Sequence, residues 1–155
     1  MKKQASKRRP FAVRKSKIHG RGVFATRTIA KGERLIEYKG ERITWQAAER
    51  RYPIDPVPYH TFLFEVGDGT MCLDAERKGS AAKWINHACK PNCEAVEDED
   101  ERIFIEAART IRPGEELAYD YNFILEERHT PAQKKKFPCW CGARNCRGTM
   151  LGKKR

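Results

Sequence analysis

The sequence predicts a mainly β domain with few short helices, and three observations carry that reading. Runs rich in β-branched and aromatic residues are short and separated by glycine-containing turns. The 155-residue chain shows no internal repeat and no regular strand–helix alternation, which argues against a parallel α/β sheet. One stretch, "TWQAAERRY" at 44–52, has clear helical composition, and it runs straight into prolines.

The elements follow in chain order. Between residues 11 and 43, "GVFATRTI" (22–29) and "GERLIEYKG" (32–40) read as strands, the second with partial alternation. Thr44 is a candidate N-cap for the helix after it, where Ala and Arg favour helical backbone. "PIDPVPY" (53–59) ends that helix, because proline removes a backbone donor and clashes with the preceding turn. "TFLFEV" (61–66) and "TMCLDA" (70–75) flank "GDG", a hairpin signal. Residues 84–93 read as loop, "RIFIEAARTI" (102–111) as strand, and "RPGEELAYDY" (112–121) as a turn and then a strand. Residues 124–138 read as a polar linker into a cysteine-rich end.

Size and charge narrow the function classes. The length suits one domain with a real core. No apolar run approaches a membrane span, and the basic N-terminus lacks the apolar segment of a secretory signal, so an intracellular protein without a membrane role is expected. Six cysteines in such a chain suggest reduced thiols or metal ligands. The net charge of +11 is unevenly placed. Residues 1–32 hold eleven Lys or Arg and no acid, residues 33–127 hold twelve bases against 21 acids, and residues 128–155 hold nine bases and no acid. The basic N-terminus is either a solvated tail or an arm that meets nucleic acid or another polyanion through phosphate-type contacts.

"INHACKPNC" (85–93) places Asn, His and Cys together, which suits a metal ligand, a Cys–His nucleophile or a ligand cradle. Cys139, Cys141 and Cys146 form C-x-C-x4-C, a spacing that wraps three thiolates around one tetrahedral zinc. A structural site needs a fourth ligand, and Cys89 or Cys93 can supply it. Such a zinc would dock the C-terminal tail across the core. Cys72 reads as a buried strand thiol; His60 and His129 sit in loop-like text without evident partners or role.

Five ordered stretches resemble the SET-domain protein lysine methyltransferases with a post-SET zinc module: "HGRGVFA" (19–25), "EYKGE" (37–41), "WINHACKPNC" (84–93), "GEELAYDY" (114–121) and "CWCGARNCRGTM" (139–150). No pre-SET cysteine cluster precedes them. The resemblance implies a basic arm (1–14), a SET domain (15–123), a linker (124–138) and a post-SET module (139–151). It implies a β-clip-like fold of small curved sheets with a knot-like C-terminal crossing, where 114–121 threads near 84–93.

The resemblance also implies S-adenosylmethionine as cofactor and one structural zinc. Gly20, Arg21 and Gly22 match the turn that meets the methionine part of the cofactor. Asn86 and His87 match the pair holding its amine and adenine. Phe62, Lys83, Tyr121, Phe123 and Trp140 complete the implied cofactor site. The family places the fourth zinc thiolate at Cys89. Tyr121 matches the catalytic tyrosine, Tyr38 a second channel tyrosine, and Tyr119 a Tyr/Phe position that bears on how many methyl groups are added, here one or two. The substrate would be a basic protein, histone-like or otherwise Lys-rich, met in the cytoplasm of a bacterium or at eukaryotic chromatin. The competing expectation is a catalytically inactive, zinc-stabilised module binding nucleic acid or acidic partners. Departures from the family pattern are Ala88 for Ser, Trp84 for Phe, Lys83 for Arg and Phe62 for Tyr; they bear on cofactor affinity.

Overall fold

A computed structural model describes residues 9–52, 62–124 and 128–153. Strands β1 (Phe11–Lys15) and β2 (Arg21–Ala25) form an antiparallel hairpin with Phe11 opposite Ala25. β3 (Arg34–Tyr38) and β4 (Glu41–Thr44) lead into helix α1 (Trp45–Arg51). Thr44 Oγ accepts the Ala47 N–H at 3.1 Å, the cap expected from the sequence. Ala48 turns the helix toward Ile43 and Cys72, and Cys72 is fully buried as anticipated. The prolines at 53–59 and His60 lie outside the described residues.

β5 (Leu63–Val66) and β6 (Met71–Asp74) form the "GDG" hairpin, tightened by Asp68 accepting from the Thr70 backbone and hydroxyl. A single 3-10 turn at Ala81–Trp84 precedes the two-residue β7 (Asn86–His87). β8 (Cys93–Glu97) and β9 (Ile103–Ala107) form the next hairpin, and β10 (Ala118–Tyr119) follows. β9 buries Ile103, Ile105 and Ala107 on one face, the period-2 pattern of a half-buried strand. Helix α2 (Pro131–Lys136) precedes the cysteine tail.

Two three-stranded antiparallel sheets, ordered β3-β9-β8 and β4-β6-β5, stand beside the β1-β2 hairpin and the short β10-β7 pair. The last is parallel, with Ala118 beside Asn86 and Tyr119 beside His87. It brings 114–121 alongside 84–93, as the family fold implies. Ile29, Ile85, Ile111 and Leu117 join the β9 isoleucines in the core, and Tyr38 and Tyr119 belong to the same cluster.

The structure differs from the sequence reading in four places. The stretch 124–138 is more than a linker: Thr130 caps α2 by accepting the Gln133 N–H, and Pro131 opens the helix where its missing donor costs nothing. The boundary of the basic arm at 14 falls inside β1, whose Phe11 is buried in the core. "GVFATRTI" stops being a strand at Ala25, and Ile29 instead makes an isolated bridge to Ile111. The loop expected at 84–93 carries β7, while "RPGEELAYDY" contributes only two ladder residues plus a Glu116–Phe24 bridge.

Candidate active site

The site begins with the turn between β1 and β2. Gly20 sits at φ +44°, a left-handed conformation that favours glycine. Gly22 is favoured for a different reason: a Cβ there would fall 2.1 Å from Glu116 Oε1 and push that carboxylate out of its place. That carboxylate accepts from Ser16 Oγ (2.7 Å) and from Asn86 Nδ2 (2.8 Å). The Asn86 amide nitrogen also lies 3.1 Å from the His19 carbonyl and 3.0 Å from that of Arg21. Asn86 therefore pins the glycine turn onto β7 and shapes a backbone cradle. Neither Ser16 nor Glu116 was singled out from the sequence, although Glu116 lies within a quoted motif.

Asn92, buried in the same loop, reinforces the crossing. Its amide donates to the Glu116 carbonyl at 2.9 Å, and its Oδ1 accepts the Ala118 N–H at 2.9 Å. Next to it, His87 Nδ1 accepts the Tyr121 N–H at 3.0 Å. That bond puts the proton of the neutral ring on Nε2, which lies 3.6 Å from Cys89 Sγ. Burial drives the His87 pKa down to about 4, with Arg147 adding to the shift and Asp120 opposing it, so the ring is uncharged at neutral pH.

Tyr121 donates its hydroxyl hydrogen bond to the Ile85 carbonyl. Its ring packs 4.8 Å from Tyr119 and 5.4 Å from Phe123 (centroid distances). Tyr119 in turn faces Phe64 at 6.3 Å, and Phe64 faces Tyr38 at 5.0 Å. Burial holds the Tyr38, Tyr119 and Tyr121 hydroxyls well above the usual tyrosine range. All three are neutral phenols, suited to hydrogen bonding and unsuited to acting as a phenolate base.

A cleft lies in front of Tyr121, lined by Ile18, His19, Asn86, His87, Trp140 and Met150. Trp140 comes from the cysteine tail, is 47% exposed, and stacks on His19 with centroids 6.0 Å apart. Beside the glycine turn, Arg21 lies over the Trp84 ring at 5.5 Å. Phe62 meets Trp84 edge-on at 5.5 Å, and Lys83 Nζ sits 5.0 Å from the Trp84 ring and 5.6 Å from that of Phe62. Of the expected site residues, Asn86, His87, Tyr121 and Trp140 line this cleft. The Gly20–Gly22 turn is tied to it through Asn86, and Phe123 packs on Tyr121. Phe62 and Lys83 meet Trp84 outside the lining, and Tyr38 and Tyr119 extend the aromatic row from Tyr121.

The Sγ atoms of Cys89, Cys139, Cys141 and Cys146 lie within 4.8 Å of one another. A tetrahedral zinc with Zn–S bonds of about 2.3 Å needs sulfurs roughly 3.8 Å apart. Cys89–Cys139 at 3.6 Å and Cys89–Cys146 at 3.9 Å fit that geometry. The Arg147 and Gly148 N–H groups donate to Cys89 Sγ (3.4 Å) and Cys146 Sγ (3.3 Å), the solvation that thiolates require. Cys93, the other candidate fourth ligand, is buried in β8 outside the cluster, and burial raises its thiol to about 12. The expectation for His129 changes in one respect: its ring nitrogen lies 3.0 Å from the Gly152 carbonyl, so it helps hold the tail.

Comparison with known proteins agrees with this geometry. The sequence model of the SET domain matches residues 20–122. Histone-lysine N-methyltransferase TRX1 of Oryza sativa subsp. japonica is 40% identical over 95% of this chain. The H3 lysine-4 specific histone-lysine N-methyltransferase of Saccharomyces cerevisiae is 40% identical over 93%, and the trr histone-lysine N-methyltransferase of Drosophila melanogaster 43% over 88%. These alignments span only 14%, 13% and 6% of those relatives' lengths. Among solved structures, ctPRC2 in an autoinhibited conformation bound to S-adenosylmethionine superposes with TM-score 0.67 at 30% identity, covering 73% of this chain and 15% of that one. With the glycine turn, the Asn86–His87 strand and Tyr121 all inside the matched segment, the chain belongs to the SET-domain family.

Proposed function

We propose that the protein is an S-adenosylmethionine-dependent protein-lysine N-methyltransferase acting on a histone or another Lys-rich basic protein. The observation that carries this reading is Tyr121, a neutral phenol fixed on the Ile85 carbonyl between the glycine cradle and the row of buried tyrosines. The cofactor supplies a methyl group on a positively charged sulfur. Gly20, Arg21 and Gly22 would meet its methionine end through backbone groups that Asn86 holds in place, and Trp140 with His19 would offer a flat apolar surface for its base.

The substrate lysine must enter as a neutral amine, because its ordinary pKa of about 10.4 leaves no lone pair at neutral pH. An aromatic channel lowers that value by stripping water from the ammonium. The Tyr121 hydroxyl and the Ile85 carbonyl then orient the amine toward the methyl carbon. The nitrogen–carbon bond forms as the carbon–sulfur bond breaks, and the surplus proton leaves to water. Because the Tyr121 hydroxyl is held far above neutrality, its part is orientation and charge stabilisation, not proton abstraction. Tyr119 behind it favours mono- and dimethyl products by occupying space that a larger product needs.

The four-cysteine cluster would hold one structural zinc and dock the wall that carries Trp140. The acidic run at 94–101 is engaged in local structure. Asp98 accepts from the Asp100 and Arg102 N–H groups, Glu97 from the Gly67 N–H, and Glu101 pairs with Arg42. Glu94, Glu99 and Asp100 remain exposed to attract a basic substrate. Action on a histone would place the protein at chromatin, and action on another basic DNA-binding protein would place it with that partner. Among the described residues no helix is long and apolar enough to cross a membrane. The test is transfer of a labelled methyl from S-adenosylmethionine to basic proteins, with mass spectrometry of the product. Methyl-lysine is expected; label in no protein, or in residues other than lysine, overturns the reading.

A further inference from the structure

We infer that Arg147 is a positioning residue: its guanidinium, forked onto Asp120, couples docking of the cysteine tail to the setting of Tyr121. The inference rests on the methyl-transfer reading for its consequence in turnover, and on geometry for the coupling itself.

Arg147 follows Cys146, and its backbone N–H donates to Cys89 Sγ. Its side chain reaches the other way. Nη1 donates to Asp120 Oδ2 at 2.7 Å and Nη2 to Asp120 Oδ1 at 3.1 Å, a two-point contact that fixes both distance and plane. One residue thus joins the metal cluster to the segment that carries Tyr121.

Asp120 passes that contact on. Its Oδ1 also accepts the Asn122 N–H at 2.8 Å, bracketing Tyr121 in a tight turn that puts Asn122 at φ +48°. Within the bracket, the Tyr121 N–H is bound to His87 Nδ1, which lies 3.5 Å from Asp120 Oδ1. The two side chains are 24% and 30% exposed, so solvent screens the pair less than an ordinary surface salt bridge. Burial would raise the Asp120 carboxyl, but Arg147 and the Asn122 N–H hold it below its ordinary value.

A further detail argues that the guanidinium is kept for its fork. Arg147 Nε is buried with no hydrogen-bond partner among the described residues. An unmet buried donor is a cost that an aliphatic side chain would avoid. A second link, the Phe123–Leu151 bridge, ties the same two segments just beyond Asn122, so removing the fork need not release the tail.

The test compares zinc-loaded, full-length wild type with Arg147→Met, Arg147→Lys, Asp120→Asn and the Met/Asn double variant. Readouts are zinc content, amide hydrogen exchange, and kcat and KM with S-adenosylmethionine and a peptide. Zinc should stay at one ion per chain, while the Tyr121 and Asn122 amides exchange at least ten-fold faster and amides of β8 and β9 are unchanged. Turnover should fall ten-fold or more in kcat with peptide KM little altered, Arg147→Lys should recover only part, and the double variant should be no worse than the poorer single. Unchanged exchange at Tyr121 and Asn122 in the zinc-loaded variants overturns the coupling, as do losses that multiply in the double variant. If Arg147→Met sheds zinc, Asp120→Asn decides, since its side chain does not touch the cluster. A wild type without turnover would sink the proposed activity alone, because exchange still reads the coupling.

Discussion

At Tyr121 a single hydroxyl is held against a backbone carbonyl, with its ring wedged between Tyr119 and Phe123. Removing that oxygen leaves the packing nearly intact, so Tyr121→Phe isolates its polar role. Losing one preorganised polar contact to a developing charge costs about 100-fold or more in rate. We expect kcat to fall by at least that factor, with the affinity for S-adenosylhomocysteine, measured by calorimetry, within a few-fold of wild type. Turnover near wild type in this variant would remove Tyr121 from the chemistry. Its neighbour Tyr119 sets a different property. A hydroxyl there can bind the amine or a water beside it, and displacing a well-bonded water costs free energy. Tyr119→Phe should therefore shift the product from mono- and dimethyl-lysine toward trimethyl-lysine by mass spectrometry of a peptide followed to completion. Abundant trimethyl product from the unaltered protein would contradict that role.

Among the elements, the cysteine tail and α1 show what local sequence reveals and what it hides. The tail's three cysteines were legible as a metal motif, but the fourth position remained open between Cys89 and Cys93 on spacing alone; the fold brings the Cys89 sulfur to the other three and buries Cys93 in β8. Cys89→Ser should lower the bound zinc well below one ion per chain and loosen Trp140, read as a change in tryptophan fluorescence. Full zinc retention would shift the fourth ligand elsewhere. Helix α1 was legible from its cap and its following prolines, because both signals are local. Helix α2 was missed although Thr130 and Pro131 carry a comparable start signal, because its sequence PAQKKK offers no apolar face to read. The β10-β7 crossing was legible only through the family resemblance, and the Ser16–Glu116–Asn86 cluster and the Arg147–Asp120 fork were not legible at all. Each joins residues far apart in the chain, and a threaded topology leaves no periodic trace.

Asp74 belongs to the same scale, since it fastens α1 to β6. It is fully buried and accepts from Arg51 Nη1 at 2.7 Å, Tyr52 Oη at 2.8 Å and the Glu76 N–H at 3.1 Å. Burial alone would raise its pKa, but these three donors outweigh burial and hold it below the ordinary carboxylate range. Its contribution is thus fully present above about pH 4, the ordinary aspartate value, and is lost as pH falls through the lower folded value. Asp74→Asn leaves Arg51 with only its longer contacts to Glu41, at 3.3 and 3.4 Å, and should cost about 1–3 kcal/mol at pH 7. Urea unfolding should show the wild-type and variant stabilities converging as pH drops toward 3. Acid would also protonate any metal-bound thiolates in both proteins, so the difference between them is the quantity to follow. A gap that stays constant with pH would show that the carboxylate charge is not what holds α1.

For the whole molecule the governing feature is charge placed by region: two purely basic ends around a middle that carries 21 acids against twelve bases. By charge alone, a basic substrate would be drawn to the middle and a polyanion such as DNA to the ends, so the two would not compete for one surface. Because β1 starts at Phe11 and Phe11 is in the core, the part of the basic N-terminus that can be removed without cutting an element ends before it. Residues 1–8 carry Lys2, Lys3, Lys7 and Arg8. Each cation that neutralises a DNA phosphate releases condensed counterions and steepens the salt dependence of binding by about 0.9 in log–log slope. If all four meet phosphates, deleting residues 1–8 should flatten the slope by about 3 to 4. Methyl transfer to a short peptide should be unchanged, because the cleft is already complete among the described residues, which begin after the deleted stretch. Binding followed by fluorescence anisotropy between low and moderate salt supplies the slope. An unaltered slope after the deletion would mean that the charges of residues 1–8 do not contact DNA, and would leave the bases from Arg9 to Lys31 and those of the C-terminal end to test.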